Sequence, residues 1–184
     1  MKKTTEKITI GKKKFDAELL WTEKKDRPKL KKLYQAWVDL KNGLKEIDSR
    51  GPNLPEGISE GAFSLEFDCP RVLDVRGTAA SYDCYNTKTH ERIQIKATTI
   101  RYDLTSFGPN SVWDTLYLLD FYRDGKFDGK YDVYKIPNDK IYNHQVSKTQ
   151  TFRAIQKTGK RPRFGIKKSI IEVHDIKPTK TCQI

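Results

Sequence analysis

Residues 81–99, SYDCYNTKTHERIQIKATT, decide how the chain reads. In the second half, aliphatic and polar residues alternate. Ile93, Ile95 and Ala97 share one side, and Arg92, Gln94 and Lys96 the other, which is the period-two pattern of a strand. Asn86-Thr-Lys-Thr-His90 is a short polar connection. Together they predict a β-hairpin with arms over Ala80–Tyr85 and Glu91–Thr99. Gln94 and Lys96, two residues apart, point the same way, and pairing of the arms brings Asp83 beside them. A carboxylate, an amide and an ammonium on one sheet face suit hydrolysis of a phosphodiester. Such a reaction needs charge neutralisation, an activated water and stabilisation of developing charge. By alternation alone, the same three residues are also what a solvated strand face looks like.

Downstream, residues 115–122 (TLYLLDFY) and 130–136 (KYDVYKI) read as two further strands joined through Asp124-Gly125 and Asp128-Gly129. A helix is expected over 145–158 and a last strand over 165–174. Upstream, residues 7–21 read as two short strands about a Gly-Lys turn. A helix follows, with Asp26 as cap and Pro28 in its first turn. Leu30, Leu33, Trp37, Leu40, Leu44 and Ile47 form its apolar stripe, and its other face is rich in lysine. Residues 50–57 are loop, and 58–67 a short helix with Ser59 as candidate cap, Ile58, Ala62 and Leu65 facing inward and Glu60 near its amino end. This order predicts an α+β (mixed αβ) fold with a central mixed sheet flanked by helices. The expected organisation is one domain over 1–184, with 1–50 a basic strand/helix portion and 55–175 a catalytic core.

The 184 residues carry a net charge of +12, unevenly spread. Residues 1–50 hold 15 Lys/Arg against 8 Asp/Glu, residues 51–139 hold 10 against 14, and residues 140–184 hold 11 against 2. Basic flanks about an acidic middle suit a polyanion gripped from both sides, with carboxylates that need a cation before phosphate can approach. No apolar run approaches the roughly 20 residues of a membrane span. No signal-like stretch follows Met1, so a cytoplasmic location is expected. Cys69, Cys84 and Cys182 are odd in number and lack metal-ligand spacing, and read as reduced thiols.

Asp83 followed by Gln94-x-Lys96 resembles the PD-(D/E)XK nuclease motif. It departs from the pattern at Tyr82, where the motif has proline, and at Gln94, where it has an acid. Thr105-Ser-Phe-Gly-Pro109, Trp113-Asp114, Gln150-Thr-Phe-Arg153 and Gly159-Lys-Arg-Pro-Arg163-Phe164 are similar to segments of small single-domain type II restriction endonucleases. The group they resemble cuts interrupted palindromes of the GC-N-GC kind. The resemblance covers about residues 55–170. It implies a restriction-endonuclease-like core, Mg²⁺ as cofactor, double-stranded DNA as substrate, a homodimer matched to a two-fold site, and a cognate DNA methyltransferase in the same system without a stable complex.

Carried over residue by residue, the resemblance makes Asp83, Gln94, Lys96 and Glu60 the catalytic set. Asp83, Glu60, the Gln94 amide oxygen and the Ile95 carbonyl would hold the metal, and Lys96 would handle the water. Glu60 supplies the acid missing at Gln94, Glu66 is the reserve, and Glu91 sits on the wrong strand face. The plainer reading of Glu60 is a first-turn acid that suits the helix dipole. Asn143, His144, Gln150, Arg153, Gln156, Lys160, Arg161 and Arg163 are the candidates for reading bases or holding phosphates. A solvated basic loop explains the last three equally well. Two other functions stay open: a structure-selective resolvase or repair nuclease of the same fold, and a non-catalytic nucleic-acid-binding module.

Overall fold

The structure is a computed structural model, and it describes residues 1–79 and 81–184. It shows a mixed α+β fold, consistent with a restriction-endonuclease-like core. The chain opens with a long hairpin, β1 (Lys2–Ile10) and β2 (Lys13–Trp21), turning at Gly11 with φ of 62°. Helices α1 (Arg27–Glu46) and α2 (Glu56–Phe67) follow, then β3 (Arg71–Val75), β4 (Cys84–Tyr85), β5 (Arg92–Thr98) and β6 (Thr105–Ser106). The remainder is β7 (Thr115–Asp120), β8 (Lys130–Ile136), α3 (Asn138–Tyr142), α4 (Phe152–Lys157), β9 (Arg163–Phe164), a π-helical turn at Lys167–Ile171, and β10 (Lys180–Gln183).

Eight strands form one sheet in the order β1-β2-β3-β4-β5-β7-β8-β10, and β6 pairs with β9 outside it. Every pairing is antiparallel except β5 with β7, which makes the sheet mixed. The β5–β7 register sorts the two faces. Ile93, Ile95 and Ala97 align with Thr115, Tyr117 and Leu119, and pack towards α1 and α2 in a cluster with Leu30, Tyr34, Trp37 and Phe63. Gln94 and Lys96 align with Leu116 and Leu118, which face a second cluster built by Phe107, Trp113, Ile141, Phe152, Phe164 and Ile170. The two motif residues therefore lie on the face covered by the C-terminal segments.

Several expectations from the sequence need correction. Of the expected six-residue apolar stripe of α1 only Leu30 and Trp37 are buried, and Tyr34 and Val38 complete the buried face. The helix is rotated so that Tyr34 meets Trp37 and Phe121. Leu33, Leu40 and Ile47 are left 45 %, 55 % and 72 % exposed. Asp26 makes no cap bond to α1. Its carboxylate instead takes the Glu23 N–H at 2.9 Å and the Met1 ammonium. Ser59 is not a cap either: α2 begins at Glu56 after Pro55, and Ser59 Oγ donates back to the Glu56 carbonyl at 3.2 Å.

Of the helix expected over 145–158 only Phe152–Lys157 (α4) is helical; α3 lies before that span. The polar turn between them is closed by Val146 N–H donating to the Gln150 carbonyl at 3.0 Å. The strand expected over 165–174 is not a strand. Only Arg163 and Phe164 are extended, and Ile166, Ile170 and Ile171 bury at helical spacing. Strands β3, β6 and β10 were not foreseen. The first arm of the central hairpin is shorter than expected, and its proposed start at Ala80 lies outside the described residues. All three cysteines are buried free thiols. Among the described residues no helix is long and apolar enough to cross a membrane.

Candidate active site

β4 is only two residues long, so its pairing with β5 lapses beyond Cys84–Ile93. Asp83 stands at that break. Its backbone N–H still donates to the Ile93 carbonyl at 2.9 Å. Backbone groups of residues two apart on a strand point to the same side, so the Ile95 N–H and C=O face the gap that β4 leaves open. The Asp83 side chain fills the gap: its Oδ2 takes the Ile95 N–H at 2.6 Å and the Gln94 Nε2–H. Asp83 Oδ1 has no hydrogen-bond partner among the described residues.

Glu60 reaches the same place from α2. Every residue from Ile58 to Ser64 is buried, and α2 lies close on α1: a Cβ at Gly61 would stand 3.1 Å from Leu30 Cδ2. Glu60 therefore sits one turn into a buried helix rather than at an exposed amino end, which removes the dipole explanation for it. Its Oε2 accepts from Arg71 Nε at 2.7 Å, and Oε1 has no partner among the described residues. A cavity of about 230 Å³ is lined by Asn53, Glu56, Glu60, Asp83, Ile95, Lys96 and Asp103, with Ser59, Leu54, Ala97 and Thr99. Lys96 makes no ion pair within 4.0 Å among the described residues, and its ammonium lies 5.5 Å from the Phe107 ring centroid.

Burial, then the charge of Asp83, pushes the Glu60 carboxyl up to about 7, although the Arg71 charge opposes the rise. Burial also raises Asp83, against the Ile95 N–H and the Lys96 charge. Two carboxylates held above their ordinary range in one cavity are short of positive charge. No group of three His, Cys, Asp or Glu side chains gathers for a metal among the described residues. Two carboxylates with one unpartnered oxygen each, plus a carbonyl facing the same gap, do fit a hard oxygen-seeking cation that keeps several waters, as Mg²⁺ does. One expectation changes here. Gln94 offers its N–H to Asp83 rather than an oxygen to the cavity, because a neutral amide beside a buried carboxylate is most stable as its donor.

Residues 22–173 match the family model of the Bsp6I restriction endonuclease. The chain belongs to that family. It is 38 % identical over 154 residues to the type II restriction enzyme Bsp6I of Bacillus sp. (strain RFL6), covering 80 % of this chain and 82 % of that protein. No solved structure gives a match. Membership makes the protein an enzyme, a type II restriction endonuclease. The family match begins at Thr22, so the whole β1–β2 hairpin lies outside it.

The other candidates fall into separate places. Glu66 is held by Arg27 and Lys180 and does not line the cavity. Glu91 is taken by Thr89 and Thr115. Asn143 and His144 line a different groove, of about 600 Å³, with Lys140, Lys168 and His174. The His144 ring lies 4.4 Å from that of Phe164, and burial lowers its pKa. Arg153 lies over Tyr142, and Gln150 is exposed at the turn before α4. Gln156 is a brace: its Nε2 donates to the Gly108 carbonyl at 3.0 Å. Lys160, Arg161 and Arg163 are exposed, and β9 carries Arg163 to Ser106 of β6, three residues beyond the cavity-lining Asp103. The sequence reading missed Arg71, Glu56 and Asp103. Their only signal was being charged near turns, which most surface residues share.

Proposed function

We propose that this restriction endonuclease hydrolyses phosphodiester bonds of double-stranded DNA at a short palindromic site, using Mg²⁺ and acting as a homodimer. Its centre is read as a variant of the PD-(D/E)XK arrangement. The supporting observation is the meeting of Asp83, Ile95, Lys96 and Glu60 about one cavity, with Gln94 fixing the Asp83 carboxylate. Asp83, Glu60 and the Ile95 carbonyl are the oxygens that would hold the ion. When bound, Mg²⁺ supplies positive charge beside the phosphate. Gln94 orients Asp83 by hydrogen bonding where an acid would repel it. Lys96 makes no ion pair within 4.0 Å among the described residues, so its ammonium can hold the attacking water and stabilise charge as the phosphate is attacked. Arg163, Lys160 and Arg161 are read as phosphate contacts, and Asn143, His144 and Gln150 as base contacts. A cytoplasmic location and a methyltransferase that protects the host's copies of the site accompany this reading.

The test is digestion of a sequenced phage genome by purified protein with Mg²⁺, in parallel with Asp83→Ala and Lys96→Ala. Discrete fragments from the native chain are expected. The Lys96 variant should be slower by about 10²–10⁴-fold, the usual size of a proton-handling contribution. Both variants should still bind the duplex in Ca²⁺. Full cutting by both would remove the assignment. Cleavage of branched junctions alone would replace it with a resolvase.

A further inference from the structure

The face that α1 leaves in solvent has its own repeat. Leu33, Ala36, Leu40, Gly43 and Ile47 are spaced three, four, three and four apart, the heptad seam of a helix that packs on another helix. Leu33 and Leu40 are exposed large apolar residues of this helix, Ile47 continues the row at its C-terminal cap, and a Cβ at Gly43 would meet nothing within 4 Å. The seam runs for roughly 21 Å at 1.5 Å per residue. It borders an apolar groove of about 620 Å³, lined by Leu33, Ala36, Trp37 and Leu40 on one side and Pro52 and Pro55 on the other. The groove also touches Gly57 and Arg71, so it lies within one helical turn of Glu60.

The residues themselves say what fits. Set antiparallel on its own copy about a two-fold axis, α1 pairs Leu33 with the mate's Gly43 and Ala36 with the mate's Leu40, and the reverse. Each layer then joins one large and one small side chain, which lets the helices approach closely. Ile47 falls opposite the aliphatic stem of Lys29, a residue of the groove. On the open flank, Lys32 falls opposite Glu46 of the other copy, twice by symmetry, and these two attractive pairs outnumber the one Asp39–Asp39 contact the same row sets at the axis; all three residues are exposed. A parallel pair would instead set Leu33 on Leu33 and leave Gly43 facing Gly43, with no charge match. We infer that α1 is the self-association surface of this chain, the groove being filled by α1 of a second copy. This rests on the homodimer reading above and specifies its interface. A two-fold axis there relates the two acidic cavities by the same symmetry that relates the strands of a palindromic site.

The experiment is sedimentation of the full-length protein without DNA. Its chain mass is 21.4 kDa, so a species of twice that mass is expected. Leu40→Glu should bring the mass to that of one chain with an unchanged circular dichroism spectrum, since Leu40 is 55 % exposed in the single chain. Lys32→Glu and Glu46→Lys should each weaken the dimer at least tenfold, and the double reversal should restore it. A dimer indifferent to all of these would overturn the surface while leaving the homodimer standing. A native protein that stays at the mass of one chain would overturn it too. Neither outcome touches the Asp83 and Lys96 assignments, which cutting assays judge separately.

Discussion

Arg71 Nε donates to Glu60 Oε2 at 2.7 Å, yet this buried ion pair does not keep Glu60 in the ordinary carboxylate range. Burial and the neighbouring Asp83 outweigh the guanidinium, and Glu60 rises from 4.5 to about 7. The folded chain therefore holds this proton more tightly than the unfolded chain. No cost is incurred below about pH 4.5, and the cost grows as pH rises to about 7. At about 1.4 kcal/mol per tenfold change, ionised Glu60 costs the metal-free fold about 3 kcal/mol above that range. Glu60→Gln keeps an acceptor for Arg71 and removes the charge. It should raise the urea midpoint in EDTA at pH 8, leave it unchanged at pH 4, and abolish cutting. A lower midpoint at pH 8 would count against the cavity as described.

Gln94→Glu tests the substituted motif position. Gln94 is 4 % exposed and donates to Asp83 Oδ2, so a carboxylate there meets another carboxylate without a proton to share. An unpaired buried polar group costs about 1–3 kcal/mol, and more when charged. The variant should unfold earlier than the native chain in EDTA. It should also gain more thermal stability from added Mg²⁺, because a cation relieves the new repulsion. Equal Mg²⁺-induced shifts in melting temperature for both proteins would place the ion elsewhere.

The central hairpin was legible because its alternation is local: Ile93, Ile95 and Ala97 declare a face, and Gln94 and Lys96 follow on the other. The approach of Asp83 was legible for the same reason, since eleven residues of hairpin connect it to Gln94. Arg71 was not, because its strand, Arg71–Val75, is placed by pairing with β2, some fifty residues earlier. The exposure of Leu33 and Leu40 was equally hidden. The apolar stripe and the buried face share Leu30 and Trp37 and both obey helical spacing, and Tyr34 was drawn inward by Phe121, more than eighty residues away. The isoleucines at 166, 170 and 171 suited a buried strand or a helical turn alike. Their packing against the second cluster decided for the turn.

Lys167 provides a stability test away from the cavity. It pairs with Asp120, which is 1 % exposed and also accepts the Tyr122 and Arg123 N–H groups at 3.0 and 3.1 Å. Those bonds end β7 and turn the chain. Lys167→Met leaves the Asp120 charge buried with only backbone donors, and loss of one partner of a buried pair costs about 3–5 kcal/mol. Chemical denaturation at pH 7.5 should show a loss of that order. Asp120→Asn combined with Lys167→Met should recover part of it, since the orphaned charge is then gone. No recovery in the double variant would mean that packing of the lysine stem, not charge, carries the effect.

Gly165 sets the distance between the Asp83–Glu60 cavity and the basic run. A Cβ there would lie 2.8 Å from the carbonyl oxygen of Asp103, a backbone atom with no rotamer to move away. Asp103 lines the cavity, and Gly165 directly follows the β9 strand that holds Arg163. Gly165→Ala must therefore push β9 and the Asp103 segment apart. Overpacking of this kind costs about 1–3 kcal/mol. The larger consequence should be on cleavage, because a displacement of about 1 Å near a reacting group can slow a reaction about 10²-fold. Single-turnover cutting by Gly165→Ala at saturating enzyme should fall by roughly that factor, while affinity for the uncut duplex in Ca²⁺ changes by less than tenfold. An unaltered cutting rate would show that the Asp103 segment can shift freely, and that the cavity does not depend on its fit to β9.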